Sequence, residues 1–293
     1  MNRYSIRDLE KMTGIKAHTI RIWEKRYGIV EPSRSLTNIR NYTDEDLKRL
    51  LNVSALNKAG FKISAIVAMS PDEMNRRLME ISETDSSYTY EVENMVLAML
   101  EMDEQRFDKI ISSAIIKLGF ETTMTDLLSR FLVKTGVLWQ AGTISPVQEH
   151  FASNLIRQKL IMAIDGLSIT YTDHSKTFLL FLPEGEYHEI ALLYFHYLVK
   201  RAGHKVVYLG QNVPVSNLAL VEGIQNIPYL MTSITCPQAG NDLQDFIDRL
   251  AGLFPTKTVL LGGYQFQQHF PSLPSNMKYF ETVSEMTEFL REA

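Results

Sequence analysis

Cysteine is almost missing from this chain. Cys236 is the single one in 293 residues, which excludes an intrachain disulfide framework and fits a reducing compartment. Long apolar runs are missing as well. No stretch approaches the ~18 residues of a membrane span, and the opening residues, with Arg3, Arg7, Asp8 and Glu10, carry no apolar signal core. A cytoplasmic protein without a membrane partner is expected. Catalytic signatures are missing too: there is no Walker loop, no Cys-x-x-Cys zinc pair, no His-Glu-x-x-His helix and no Gly-x-Ser-x-Gly elbow. A non-enzymatic role is the expectation.

Net charge is small, at -4, but unevenly placed. Residues 1–62 hold thirteen Lys and Arg against seven Asp and Glu, and the remainder holds seventeen against twenty-seven. A basic head on an acidic body implies that the head alone meets a polyanion.

Hydrophobic periodicity divides the chain in three. In the head, residues 1–75, Ser5 caps a short helix with Ile6, Leu9 and Met12 at helical spacing, ending near Gly14. Lys16 to Tyr27 reads as a second helix across a glycine-containing turn, with Ile20 and Trp23 facing inward. Gly28 to Tyr42 suits a small β-hairpin wing, and a further helix should follow Thr43, its first turn enriched in acids. Residues 76–172 read as a helical bundle, with apolar stripes that include Met95, Leu97, Ile111, Ile115, Leu127 and Leu128. The polar run Ser82 to Tyr88 is the expected linker before it. Residues 173–293 alternate short apolar runs (177–182, 205–209, 227–234 and 256–261) with helical stretches (189–201 and 243–253). That rhythm predicts a parallel α/β sheet of Rossmann-like type, which binds ligands at the carboxyl ends of its strands. The fold class is therefore multidomain α and α/β: a winged helix-turn-helix, a central bundle and a carboxy-terminal parallel α/β domain.

Three constellations carry chemistry. In the head, Lys16, His18, Thr19, Arg21, Arg26 and Tyr27 are offered by the second helix to a major groove, while Arg34, Arg40 and Tyr42 in the wing are placed to hold phosphates. The segment from Tyr4 to about Leu50, with Arg21-Ile-Trp-Glu-Lys-Arg-Tyr-Gly28 and Arg40-Asn-Tyr42, resembles the DNA-binding domain of the MerR family of regulators. The resemblance implies a homodimer, or a higher homo-oligomer, acting on double-stranded palindromic operator DNA.

The second constellation is Glu184-Gly-Glu-Tyr-His188-Glu-Ile-Ala191, just after the first apolar run of the last domain. A histidine there can ligate a metal through one ring nitrogen while an acid two residues earlier orients the other. The pattern resembles the Asp-x-His-x-x-Gly signature of cobalamin-binding domains, with Glu186 in the acid position and His188 as lower ligand to cobalt. Ser233-Ile-Thr235 is similar to the Ser-x-Leu element of that family, and Gly262-Gly263 to its paired glycines beside the nucleotide tail. Two positions depart from the pattern: Ala191 replaces the motif's glycine, and Thr235 its leucine.

The third constellation is Trp139, followed by Glu149-His150. Trp-x9-Glu-His is similar to the signature of the light-sensing CarH and LitR branch of MerR regulators. There these residues lie over the upper face of adenosylcobalamin, which the bundle and the α/β domain hold between them. The resemblance implies adenosylcobalamin as cofactor, a repressor responsive to the cofactor and to light, and His150 as a metal ligand once the upper ligand has left. Two other readings stand beside it. In one, the methyl of Ala191 obstructs the corrinoid and the regulator binds none. In the other, the chain is a corrinoid carrier in methyl transfer, a role with no use for a wing. A corrinoid mutase would need a catalytic barrel for which the chain lacks the length.

Overall fold

The computed structural model describes residues 4–34, 40–84, 88–140, 143–222, 227–235, 243–269 and 271–293. They form two compact units, Met1–Leu155 and Ile156–Ala293.

The first unit opens with α1 (Ile6–Thr13) and α2 (Ala17–Tyr27). Ser5 and Asp8 form a reciprocal capping box at the start of α1, and Gly14 ends it in the left-handed conformation. Glu10 fixes the turn into α2 by accepting from the Ala17 N–H at 3.1 Å and Lys16 Nζ at 3.2 Å. That backbone hydrogen bond, reinforced by Lys16, holds the Glu10 carboxyl below its ordinary pKa. The wing strands β1 (Ser33–Arg34) and β2 (Arg40–Asn41) pair antiparallel; its tip, with Ser35 and Asn38, lies outside the described residues. Tyr42 exchanges both backbone hydrogen bonds with Tyr4, so the start of the head is stitched to the end of the wing.

Thr43 caps α3 (Asp44–Lys58) through a second capping box with Asp46. α4 (Ile63–Ala68) and α5 (Pro71–Thr84) follow. The run expected as a linker thus begins as helix: Ser82 to Thr84 belong to α5, while residues 85–87 lie outside the described residues. The bundle comprises α6 (Thr89–Glu101), α7 (Glu104–Leu118), α8 (Phe120–Thr122), a π-helical turn (Thr123–Leu128), α9 (Ser129–Gln140) and α10 (Pro146–Asp165). In the π turn and at the start of α9 the hydroxyls of Thr123, Thr125 and Ser129 donate back to carbonyls four residues earlier, competing with the regular helix ladder there.

In the second unit β3 (Thr177–Pro183), α11 (Glu189–Arg201), β4 (Lys205–Val213), a 3-10 turn (Val215–Asn217), α12 (Ala219–Glu222), β5 (Tyr229–Ser233), α13 (Leu243–Leu253), β6 (Thr258–Gly262), α14 (Tyr264–His269), β7 (Met277–Tyr279) and α15 (Val283–Glu292) follow in order. The five strands are parallel in the order β4-β3-β5-β6-β7. Leu179, Phe181, Leu230, Val259 and Leu261 pack one face against Phe246, Ile247 and Leu250 of α13. The other face meets α11 and α15, where Tyr229 stacks on Phe178 and meets Phe289 edge-on. This order reverses between β3 and β5, and ligands of such sheets bind outside that switch point. Strand β4 runs four residues beyond the expected apolar segment. Its register shifts near Gly210, and Asn212 Oδ1 then accepts from the Gly185 N–H at 2.9 Å, steadying the loop after β3.

Candidate functional site

On the head, His18, Arg21, Lys25 and Arg26 are exposed along α2, and Arg34 is exposed on the wing. Lys16, held by Glu10, is 72% exposed at the helix start. The Arg26 guanidinium lies over the Tyr27 ring, 5.3 Å from its centroid, and the Thr19 hydroxyl is 3.3 Å from His18 Nε2. These groups form one cationic, hydrogen-bonding surface suited to a duplex.

Arg40 and Tyr42 sit differently from their expected place at the phosphates. Arg40 Nε donates to both Glu24 oxygens, at 3.1 and 3.2 Å, and the Tyr42 hydroxyl donates to Glu24 Oε2 at 3.3 Å. Tyr42 is completely buried. Burial, followed by the neighbouring Glu24 charge, pushes its phenol up to about 12. Tyr42 is a core residue that supports the wing, because it is buried and its hydroxyl is satisfied internally by Glu24. Glu24 was passed over in the sequence. Its signal was an acid amid the bases of α2, but its partners lie sixteen and eighteen residues away.

In the bundle, Trp139 is 51% exposed near the end of α9. His150 Nδ1 lies 2.6 Å from Glu149 Oε2, and the other Glu149 oxygen accepts from the Ser153 hydroxyl. Glu149 thereby fixes the orientation of a ring that is itself 72% exposed.

In the α/β unit the loops after β3 and β5 meet at the switch point through one carboxylate. Glu186, only 1% exposed, accepts from His188 Nδ1 at 2.6 Å and from the backbone N–H groups of Tyr187 and His188 through Oε1. Its Oε2 accepts from the Thr235 N–H at 2.7 Å. Thr235 contributes its backbone here, so the departure from leucine leaves this contact intact. With Nδ1 turned to Glu186, a metal would meet Nε2 of His188, which stands at the N-cap of α11. Among the described residues no group of three or more His, Cys, Asp and Glu could hold a bare metal ion. A single axial histidine suits a metal whose other ligands come from a macrocycle. Ala191 is half-buried one turn along α11.

Ser233 is fully buried, and its hydroxyl has no hydrogen-bond partner among the described residues. It is paired across the sheet with Gly262. A Cβ on Gly262 would come within 2.9 Å of the Phe195 ring, and one on Gly263, at φ +103°, within 2.6 Å of the Ile234 nitrogen. The glycines are thus demanded by the protein's own packing. A polar atom left over beside them marks a place for a ligand group, so the residues fit a cofactor of the corrinoid kind.

Sequence reasoning missed a second carboxylate, Glu189. Buried beside His188, it accepts from Arg157 Nε at 2.7 Å, the Tyr208 hydroxyl at 2.8 Å and Gln211 Nε2 at 3.1 Å. Burial, with the Glu189 hydrogen bond, raises the Tyr208 pKa.

Residues 4–72 match the MerR HTH family regulatory protein model, and residues 91–163 match the B12 binding domain model. The chain is similar to the HTH-type transcriptional repressor CarH of Myxococcus xanthus, 26% identical over 273 residues, covering 91% of this chain and 90% of that protein. It is similar to the HTH-type transcriptional repressor CarA of the same organism, 29% identical over 287 residues, covering 96% and 94%. Among solved structures it is similar to the Methanosarcina barkeri monomethylamine corrinoid protein, with 17% identity, a TM-score of 0.48, and coverage of 68% of this chain and 95% of that one.

Proposed function

We propose that this chain, which matches a MerR HTH model and a B12 binding domain model and is similar to the CarH and CarA repressors, is a DNA-binding repressor whose grip on operator DNA is set by adenosylcobalamin and by light. The observation that carries the reading is the 2.6 Å contact between His188 Nδ1 and the buried Glu186 at the switch point of the sheet.

When bound, the cofactor supplies a cobalt–carbon bond that visible light breaks. The chain's own residues do the rest. His188 would hold the metal through Nε2, while Glu186 keeps the ring in one tautomer and one orientation. Trp139, Glu149 and His150 are assigned to the upper face, with His150 as the second candidate metal ligand. Ser233, Thr235, Gly262 and Gly263 are assigned to the side of the nucleotide tail. On DNA, the exposed bases of α2 would enter the major groove of a palindromic operator, one half-site for each protomer of a homodimer or larger homo-oligomer. A cofactor shifts such a regulator only if its two arrangements differ in affinity for it.

The test is protein reconstituted with adenosylcobalamin in darkness. The expected result is a coloured complex whose absorption spectrum and operator affinity both change after green light, with colour lost in His188→Ala. A colourless protein, or operator binding indifferent to the cofactor and to light, would overturn the reading.

A further inference from the structure

The α/β unit carries a small cleft lined by Phe195 of α11. His188, Ala191 and Phe195 fall at i, i+3 and i+7 and so form one line along α11. Ala191 and Phe195 are both half-buried. The line descends to the ends of β5 and β6, where Ser233 and Gly262 are register partners. There the Phe195 ring lies against Gly262, so close that a methyl on the glycine would stand 2.9 Å from Cζ and 3.0 Å from Cε2. What remains is a cavity of about 210 Å³ bounded by Phe195, Gly262, Gly263, Tyr279, Thr282 and Met286. Small-molecule sites span ~300–1,000 Å³, so the remainder is too small for a nucleotide. Ser233, the register partner of Gly262, is buried with a hydroxyl that has no hydrogen-bond partner among the described residues, so a polar ligand group reaching the strand ends beside Gly262 would satisfy it.

The inference rests on the reading in which His188 takes the lower position on cobalt. Cobalamin's own dimethylbenzimidazole normally holds that position. When a histidine takes it, the base stays tethered to the corrin through ribose and phosphate and has to be lodged within reach of His188. We propose that Phe195 is a specificity-determining gate on this cleft: its ring fills the volume that the nucleotide arm requires and has to swing aside for cobalamin, but not for a corrinoid that lacks the arm. The ring is an apolar body that occupies the space beside Gly262 until the arm replaces it. The Ser233 hydroxyl then gains a partner on the arm. The gate places the cost of arm insertion on the association step, with little effect on corrin binding itself.

Stopped-flow absorbance of dark mixtures tests this, with adenosylcobalamin and the armless adenosylcobinamide compared on the parent, Phe195→Leu and Phe195→Trp. Leucine keeps the helix packed while shortening the plug, and tryptophan enlarges it; thermal melting of each variant checks the fold. Phe195→Leu is expected to raise the association rate of adenosylcobalamin at least tenfold, Phe195→Trp to lower it, and neither to change the rate for adenosylcobinamide beyond twofold. Equal effects on both corrinoids, or no effect on either, would overturn the gate while leaving cobalamin binding in place. Failure of the parent to bind either corrinoid would remove the underlying reading, and the gate with it.

Discussion

Glu24 of α2 holds Arg40 of the wing with both carboxylate oxygens, at 3.1 and 3.2 Å. An ion pair therefore ties the wing to α2. Charge-assisted hydrogen bonds of this kind contribute about 1.5–3 kcal/mol. Glu24→Ala should destabilise the head by about that amount, since it also strips the buried Tyr42 hydroxyl of its acceptor. Operator affinity should fall at unchanged salt dependence, because no phosphate contact is removed. Denaturation midpoints and gel-shift titrations at two salt concentrations check both halves; a change in salt slope would place Arg40 or its neighbours at the phosphates.

A second prediction concerns Glu93 of α6 and Lys134 of α9, 2.5 Å apart within the bundle. Burial is the main influence on Lys134 and lowers its pKa, against the pull of Glu93. Removing one partner of a buried pair leaves an uncompensated charge and costs about 3–5 kcal/mol, whereas replacing both with apolar groups is often neutral or better. Glu93→Ala should thus lower the unfolding midpoint sharply, and the double change Glu93→Leu with Lys134→Met should restore most of the loss. Additive losses in the double variant would contradict this.

The third prediction follows from His196, whose ring stacks on Tyr208 at 5.1 Å. Burial, aided by the nearby Lys200, pushes its pKa down to about 4. The unfolded chain binds a proton near pH 6.5 that the folded ring refuses until about pH 4, so stability falls as pH drops through that window and is unaffected above it. After discounting for partial exposure, the loss between pH 7.5 and 5 is about 1 kcal/mol. His196→Gln should flatten this part of the stability profile by that amount, as measured by denaturant titration at the two pH values.

The elements were legible where local chemistry dictates them. Ser5, Gly14 and Thr43 announce helix ends through capping, and helices 189–201 and 243–253 follow from their apolar spacing. Strand β4 was read short because Gly210 and the polar Gln211 and Asn212 break its pattern, though neighbouring β3 and loop contacts carry it to Val213. Strand β7 has three residues, too few for any periodicity. Glu186 and His188 were legible as a pair because they lie two residues apart. Glu24, Glu189 and Phe195 were not, since their roles come from partners distant in sequence. Tyr42 was misread for a related reason: an aromatic beside an arginine looks like a phosphate clamp until the bridge to Tyr4 shows it closing the core.

Glu186 has a consequence beyond orienting one ring. Its two oxygens join the loop after β3 to the loop after β5, so the position of His188 is tied to the ends of both strands. The ring is pre-organised by folding, and a ligand arriving there need not immobilise it. Glutamine in place of Glu186 would keep the shape but set an amide donor against donors, turning a hinge point into a repulsion. What looks like a conservative exchange would loosen both loops together.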